Sequence, residues 1–493
     1  MNRKIFTLRI VAAVMVFCLC FGCLSACQKK EDTSSNRSDE ILGEVVIGGD
    51  EENEDDAASD GAGSIGSGGS GSKISSGSGS GSTKIDMNKL KGQTVNMLIW
   101  RELNTSEKTV LKNFKKSTSI NVKYSIVNQK EYLTRLAAEV AGGSGPDICA
   151  IQSGGMSILT SDSYPSSFPV GTLAVMQPFF PATGQDEKES IWAKSWMDPY
   201  KIKGQYYGVA IAGGWQTLST VVYYNKDLFE ENGLTTPKEL WKAGNWNWDT
   251  FKQSALAISN IDDYYYGYAG RDSYAYMLSS GCDYVSFDGT KFTNTSNTAQ
   301  MKKAWEFATE MYASGAQFRP DGSTNFPLQF LEGRFGMYGE GSYCMSNVGM
   351  MGDYAYNLKD VGFEIDAVPF PSPKGQDTVC ISRADLFGIA KNSRNPVAAG
   401  VFLRFWLDPK NALPFSKTAI NNNMRDVFDW INKESTPKKA FISGGVLGYQ
   451  DADKMAALTY TLMTNPAAQI NTTLNSYQPF INTSIDSANK VIS

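Results

Sequence analysis

The heptapeptide TVNMLIW at residues 94–100 opens the stretch that decides the fold of this 493-residue chain. This short apolar run is typical of a buried strand, and strand and helix patterns alternate after it up to residue 151. The helix patterns carry apolar residues on one face: Val110, Leu111 and Phe114 in the first, and Tyr132, Leu133, Leu136, Ala137 and Val140 in the second. The second should end at Gly142-Gly143, because glycine commonly follows a helix. Strand–helix–strand–helix–strand at this spacing predicts an α/β fold with a parallel sheet.

Polar and aromatic side chains follow two of the predicted strands. Trp100 comes directly after the first strand, and Gln152 and Ser153 come after the third. Ligands of open α/β sheets bind beyond the carboxyl ends of the strands. An indole ring can stack on a flat apolar face, and amide and hydroxyl groups can hydrogen-bond to a polar rim. These three are therefore candidate ligand-binding residues; the alternatives are a core tryptophan and polar loop or capping residues.

Residues 1–27 have the features of an export signal. Basic residues at the start are followed by an apolar run from Ile10 to Leu24, which is too short for a membrane-spanning helix. The run ends in Leu24-Ser25-Ala26-Cys27, which resembles the lipobox of bacterial lipoproteins. That resemblance implies a lipid on the thiol of Cys27 and a place on the extracytoplasmic face of the cell membrane. An ordinary cleaved signal is the alternative.

Residues 28–91 have the composition of a disordered tether. An acidic run from Asp50 to Asp56 leads into a Gly/Ser tract that extends from about Ala57 to Ser82. Large apolar residues are scarce, so burial cannot offset the entropy lost on ordering. A Gly/Ser chain of this length spans about 45 Å root-mean-square, which suits a spacer between a membrane and a folded domain. An acidic segment that binds cations or proteins is the alternative.

Composition excludes several classes of function. The chain contains no histidine, which removes Ser-His and Cys-His catalysis and histidine-ligated zinc. The whole chain carries a net charge of −5 and the basic signal raises that value, so the remainder is near −8 and nucleic-acid binding has no electrostatic support. Four widely spaced cysteines are predicted to be buried free thiols rather than disulfides: Cys149, Cys282, Cys344 and Cys380.

Five segments resemble, in order, those of the extracellular solute-binding proteins that are similar to maltose-binding protein. They are GPDI at 145–148, YYNKDLFEENGL at 223–234, WNWDTF at 246–251, FLEGRFGM at 330–337 and VPFP at 368–371. The resemblance implies a type II periplasmic-binding-protein fold, in which hinge strands join two α/β lobes around a ligand cleft. Lobe one would comprise residues 92–210 plus 369–408, and lobe two residues 211–368 plus 409–493.

The family also implies a function and further site residues. A protein of this kind captures a solute, here expected to be a sugar or oligosaccharide, and delivers it to the permease subunits of an ABC transporter without catalysis or a cofactor. Tyr343 stands where the family carries a stacking tryptophan. Other candidate ligand-binding residues lie near it or near the expected crossings between lobes: Glu340, Trp215, Arg383 and Asp385. Trp246 and Trp248 are expected instead to be core and capping residues.

Three alternatives remain open. The solute could be a glycerol-phosphate-like ester, a polyamine or another small molecule, because the fold hosts many ligands. The protein could be a surface adhesin or sensor that retains the fold. It could also be a glycosidase that uses two carboxylates, with Glu102, Glu340 and Asp385 as the candidate acids in one cleft. No metal is expected from the motifs, although a structural calcium ion stays possible.

Overall fold

A computed structural model describes residues 85–127, 131–151, 176, 192–211, 213, 217–270, 273–319, 324–346, 356–382, 386–411, 415–447 and 451–492. The strands are β1 (Thr94–Ile99), β2 (Asn121–Ile126), β3 (Ile148–Ile151), β4 (Thr220–Asn225), β5 (Tyr266–Gly270), β6 (Val285–Phe287), β7 (Phe292–Asn294), β8 (Phe335–Gly341), β9 (Ile365–Pro369), β10 (Cys380–Ser382), β11 (Leu386–Ile389) and β12 (Lys438–Ala440).

The helices are α1 (Thr105–Thr118), α2 (Tyr132–Ala141), α3 (Lys194–Met197), α4 (Lys226–Glu231), α5 (Pro237–Lys242), α6 (Trp248–Ser259), α7 (Ala275–Ser279), α8 (Ala299–Ala313), α9 (Phe326–Leu331), α10 (Pro396–Leu407), α11 (Asn422–Asn432), α12 (Ile442–Val446), α13 (Ala452–Thr464), α14 (Ile470–Ser476) and α15 (Gln478–Ile492). Within the described ranges, every helix falls short of the length and apolar character needed to cross a membrane.

The first sheet has the strand order β11-β3-β1-β2. β1 is parallel to both β2 and β3, which confirms the parallel arrangement predicted from the sequence. β11 returns from much later in the chain and pairs antiparallel with β3. Helix α10 packs on this sheet and on α1, where the rings of Phe114 and Phe402 lie 5.0 Å apart.

One buried carboxylate fastens this sheet to the segment before α10. Asp147 accepts hydrogen bonds from the backbone N–H of Asn96 at 2.8 Å and from that of Asn395 at 3.1 Å. The hydroxyl of Ser393 donates to the same carboxylate at 2.6 Å. Burial of Asp147 is therefore compensated by hydrogen bonds from two distant parts of the chain.

The second sheet has the strand order β5-β8-β4-β9. β5 is parallel to β8, whereas β4 runs antiparallel to both β8 and β9. Every residue of β4 is buried, and its central residues Val221–Tyr224 form an apolar run. Within the family-like segment at 223–234, β4 leads directly into α4, whose first turn is capped by the side chain of Asn225.

The described part of the chain shows three connections between the two sheets. The first connection, residues 210–219, leaves Val209, which pairs with Phe387 beside the first sheet, and enters β4. The second connection, residues 370–385, runs from β9 to β11. The third connection, residues 408–421, runs from α10 on the first sheet to α11, which packs on β9.

Several side-chain predictions are confirmed. Trp246 and Trp248 are buried, at 4% and 7% exposure, as expected of core residues, whereas the cap of α6 is the side chain of Asn247 between them. The four cysteines after the signal are free and buried. Burial raises the pKa of Cys149 to about 12 and that of Cys380 to about 11, so these thiols stay protonated near neutral pH.

Candidate functional site

The carboxyl end of β3 marks one edge of the first sheet. Ile151 is the last residue of β3, and it pairs with Leu386, the first residue of the antiparallel β11. Because β1 is parallel to β3, it also ends at this edge, directly before Trp100. Residues that follow β1 and β3 therefore belong to the same edge of the sheet.

The carboxyl end of β8 marks a corresponding edge of the second sheet. Gly341 ends β8 and pairs with Thr220, the first residue of β4. The preceding residue, Ser219, forms a β-bridge with Ser382 in the second connection. Since only four residue steps separate Ser382 from Leu386, the chain allows at most about 14 Å between their Cα atoms. The short segment from Ser382 to Leu386 thus links the edge where β8 ends to the edge where β3 ends.

Trp100 has an environment that fixes the orientation of its ring. It is half-buried, with Phe387 stacked at 6.5 Å between ring centroids and the edge of Tyr132 at 6.3 Å. The guanidinium of Arg101 lies 6.0 Å from the ring centroid. The indole is therefore part of the wall at the end of β1 and retains a solvent-accessible portion.

The charged residues that follow Trp100 are already paired. The guanidinium of Arg101 donates to both carboxylate oxygens of Glu107, at 2.8 and 2.6 Å. Glu107 also completes the capping box of α1 with Asn104. Glu102 accepts from Lys108 at 2.6 Å, and this hydrogen bond lowers the pKa of its carboxyl group. The described charges directly after β1 consequently compensate one another.

Tyr343 lies in a tight turn directly after β8. Residues Ser342–Met345 form a single 3-10 turn, and Tyr343 is half-buried within it. The end of β8 is held by the hydroxyl of Tyr223, which donates to the carbonyl oxygen of Gly341 at 2.8 Å. Tyr343 thus occupies the carboxyl edge of the second sheet, where a strand-end ligand contact is expected.

Glu340 is less accessible than a direct ligand contact usually is. Its exposure is 3%, and it belongs to β8 itself. Its carboxylate accepts from the backbone N–H of Gly341 at 2.8 Å and from the hydroxyl of Tyr338 at 3.3 Å. These bonds stabilise the end of β8 whether or not the residue also touches a ligand.

The remaining candidates lie outside the described residues. They are Gln152, Ser153, Trp215, Arg383, Asp385 and the lipid-anchor candidate Cys27. Within the described ranges, His, Cys, Asp and Glu side chains form no group of three suited to holding a metal ion.

Two serines at the end of β8 were missed by the sequence analysis. The backbone N–H of Ser342 donates to the carbonyl of Ser219 at 2.7 Å, and its hydroxyl accepts from the N–H of Ser219 at 3.0 Å. Ser346 forms a β-bridge with Ala419 in the third connection. A serine whose partner lies this far away in the chain leaves no local pattern, so no sequence signal points to it.

Residues 109–423 match the family described as bacterial extracellular solute-binding protein. The chain belongs to this family. Its members are binding proteins rather than enzymes, and the family places the folded part outside the cytoplasm.

Two curated relatives show how far the similarity of this solute-binding protein extends. A putative binding protein of Brucella abortus is 30% identical over 129 residues, which are 24% of this chain and 29% of that protein. The erythritol/L-threitol-binding protein of Mycolicibacterium smegmatis is 24% identical over 357 residues, or 67% of this chain and 69% of that protein. The first match therefore spans less than a third of the relative's length.

Solved structures establish the fold. The sugar-binding protein MalE from Xanthomonas citri superposes with a TM-score of 0.59 at 16% identity, covering 79% of this chain and 98% of that one. UgpB from Mycobacterium tuberculosis, in complex with glycerophosphocholine, gives a TM-score of 0.58 at 15% identity, with 80% and 99% covered. This solute-binding protein accordingly has the periplasmic-binding fold of the maltose-binding-protein type.

Proposed function

We propose that the protein captures a neutral carbohydrate between its two sheets and delivers it intact to the permease of an ABC importer. One observation carries the proposal: Ser382, which bridges to Ser219 beside the end of β8, lies at most about 14 Å from Leu386, which pairs with the end of β3, and an aromatic side chain follows a strand at each edge. Trp100 stands after β1 and Tyr343 after β8. Two rings from two sheets suit a ligand with apolar faces and a polar rim.

The paired charges favour a neutral ligand over an anionic one. A phosphate or carboxylate ligand needs an arginine or lysine whose hydrogen-bond donors are available to it. Arg101 already directs two donors to the buried carboxylate of Glu107, and Lys108 is paired with Glu102. A carbohydrate requires no compensating charge. The proposed ligand-binding residues, of which Glu340 is the least accessible among those described, are Tyr343, Trp215, Trp100, Gln152, Ser153, Arg383, Asp385 and Glu340.

The same geometry argues for binding without catalysis. A glycosidase needs one carboxylic acid whose pKa is raised so that it can protonate the leaving group. The hydrogen bond from Lys108 lowers the pKa of Glu102 instead. Glu340 is engaged by Gly341 and Tyr338 inside the second sheet. Neither described acid has the environment that acid catalysis requires.

The proposal extends to location and motion. A lipid on Cys27 and the tether at residues 28–91 would hold the folded part near its permease. The lobes would be residues 92–210 plus 369–408 and residues 211–368 plus 409–493, and ligand contact with both would shift the population toward a closed form. Replacement of Cys27 by alanine should abolish labelling with an alkyne fatty acid, whereas Cys23→Ala should leave it intact. Labelling that persists in the Cys27 variant would rule out this anchor.

A polyol is the second candidate ligand. The relative that aligns over two thirds of this chain is named for binding erythritol and L-threitol. Polyols share the neutral hydroxyl-rich rim of sugars but lack the flat ring face on which aromatic side chains stack. A requirement for the aromatic rings therefore separates the two ligands.

The test is calorimetric titration of the purified protein with a panel of probes. The panel contains glucose, maltose, maltotriose, erythritol, L-threitol and glycerophosphocholine, and each mixture is analysed afterwards for cleavage products. Saturable binding of a sugar with no product supports the proposal. Saturable binding of erythritol alone would favour the polyol, binding of glycerophosphocholine alone would contradict a neutral site, and products would indicate an enzyme.

A further inference from the structure

The turn that carries Tyr343 is bonded to the first connection through Ser342. In each hydrogen-bonded pair of an antiparallel ladder, the N–H of either residue donates to the carbonyl oxygen of the other. Ser342 faces Ser219, and its N–H donates to the Ser219 carbonyl in this way. Ser342 is also the first residue of the 3-10 turn, so its own carbonyl does not accept the return hydrogen bond. Its hydroxyl takes the place of the missing carbonyl and accepts from the N–H of Ser219 at 3.0 Å. The buried serine hydroxyl therefore extends the β4–β8 ladder into the first connection.

The other end of the same turn is bonded to the third connection. The N–H of Ile420 donates to the carbonyl of Met345 at 2.8 Å. The hydroxyls of Ser346 and Thr418 share a hydrogen bond of 2.5 Å, and both side chains are buried. Five consecutive residues, 342–346, thus contact two connections that are about 200 residues apart in the chain.

We propose that the 342–346 turn couples ligand contact to lobe closure, with Ser342 and Ser346 as positioning residues. The inference rests on the proposed function, because Tyr343 lies between the two serines and is the candidate ligand contact. Buried hydrogen bonds hold the turn to both connections, so a displacement of Tyr343 moves both connections together. Hinge motion absorbed by short connecting segments is a common route to lobe closure.

Burial makes the hydrogen bonds of Ser342 and Ser346 costly to break, as a link between the turn and the two connections requires. Ser342 and Ser346 are each 0% exposed, so water cannot replace a lost partner. Removing the Ser342 hydroxyl takes away the acceptor of the Ser219 N–H, and removing that of Ser346 breaks its hydrogen bond to Thr418. Loss of one anchor should then loosen the turn as a whole, including the bonds at its other end.

Hydrogen–deuterium exchange of the ligand-free protein tests whether the 342–346 turn couples the first connection to the third. Ser342→Ala should speed exchange severalfold in residues 217–220, which contain its hydrogen-bond partner Ser219. It should also speed exchange in residues 418–420, whose hydrogen bonds to the turn are made by Met345 and Ser346. Ser346→Ala should produce the reciprocal pattern. The control is Ser484→Ala, because Ser484 is equally buried but its hydroxyl donates only within α15, to Phe480 at 2.9 Å.

The outcomes separate a coupling role from a local one. Faster exchange confined to the connection that the replaced serine touches would overturn the proposal. If Ser342→Ala fails to fold, Thr418→Val removes the hydroxyl partner of Ser346 from the connection side, and it should still speed exchange in residues 217–220. The exchange result needs no ligand. Failure of every panel probe to bind would therefore sink the proposed function without changing this test.

Discussion

The indole N–H of Trp248 donates a hydrogen bond to the carbonyl oxygen of Pro371 at 2.9 Å. The neighbouring Trp246 does the same to Pro369 at 2.8 Å. Both carbonyls belong to the segment where the chain leaves β9 for the second connection. The tryptophan-led start of α6 therefore fixes the place where this connection leaves the second sheet.

The first prediction concerns this attachment. Trp248→Phe keeps an aromatic ring on Phe307, which is stacked at 4.4 Å, but removes the N–H that donates to the carbonyl of Pro371 and, at 3.2 Å, to the hydroxyl of Ser279. The lost hydrogen bonds should lower the free energy of unfolding by about 1–3 kcal/mol beyond the effect of the smaller ring. Urea denaturation measures the difference.

Trp305→Phe is the matched control for that measurement. Trp305 is also buried and stacked, on Tyr284, but its indole nitrogen has no hydrogen-bond partner among the described residues. Its replacement loses ring volume alone. Equal losses of stability in the two variants would show that the hydrogen bonds of the Trp248 indole contribute nothing.

The second prediction concerns the candidate ligand contact. Tyr343→Ala should weaken binding of the panel sugar by roughly 1–3 kcal/mol, the scale of an aromatic anchor, whereas Tyr343→Phe should retain most of the affinity. Tyr460→Ala is the control, because that side chain is 58% exposed on α13. An unchanged dissociation constant for Tyr343→Ala removes the residue from the site.

The third prediction concerns a buried ion pair behind β9. The ammonium group of Lys238 lies 3.4 Å from the carboxylate of Asp366, and both side chains are almost inaccessible. Lys238→Met leaves a buried carboxylate without its counter-ion, which should cost about 3–5 kcal/mol at neutral pH. The double variant Lys238→Met, Asp366→Asn should lose less than the single variant, since no buried charge remains.

The pH dependence of the single variant follows from the same pair. Burial holds the pKa of Asp366 above its usual 3.8, and Lys238 counteracts that rise. Without Lys238 the folded protein binds the proton more tightly than the unfolded chain does. The resulting stability is present at low pH and lost as the pH rises through the raised pKa. Denaturation should therefore show a smaller deficit for Lys238→Met near pH 4 than near pH 7; a deficit independent of pH would contradict this account.

The fourth prediction concerns the paired charges beside Trp100. Glu107→Gln weakens two charge-assisted bonds from Arg101 and should lower the free energy of unfolding by about 1.5–3 kcal/mol. Glu102→Gln is the comparison, because the Glu102 side chain is 53% exposed and its pair with Lys108 should contribute at most about 1 kcal/mol. If both variants lost a similar free energy of unfolding, burial would not be the reason why the Glu107 pair contributes more than the Glu102 pair.

Sequence periodicity predicted the local elements well. The apolar run at β1 and the one-sided pattern of α1 reflect burial that neighbouring residues reveal. The burial of Trp246 and Trp248 followed from their place at a helix start. These features depend on contacts within one element or on the simple need to cover a sheet.

Contacts between segments that are distant in the chain could not be predicted from the sequence. The antiparallel return of β11 onto β3 requires a register that neither strand specifies alone. The burial of Glu340 inside β8, rather than at a ligand surface, depends on β4 and β5 lying on either side. The role of Ser342 depends on Ser219, which no local pattern connects to it.

Small-angle X-ray scattering of the purified protein, with and without the panel sugar that calorimetry shows to bind, tests the central claim most directly. A molecule held between two sheets by residues of both should draw them together, so the radius of gyration should fall at saturation. A scattering curve that saturating sugar leaves unchanged would contradict capture by closure.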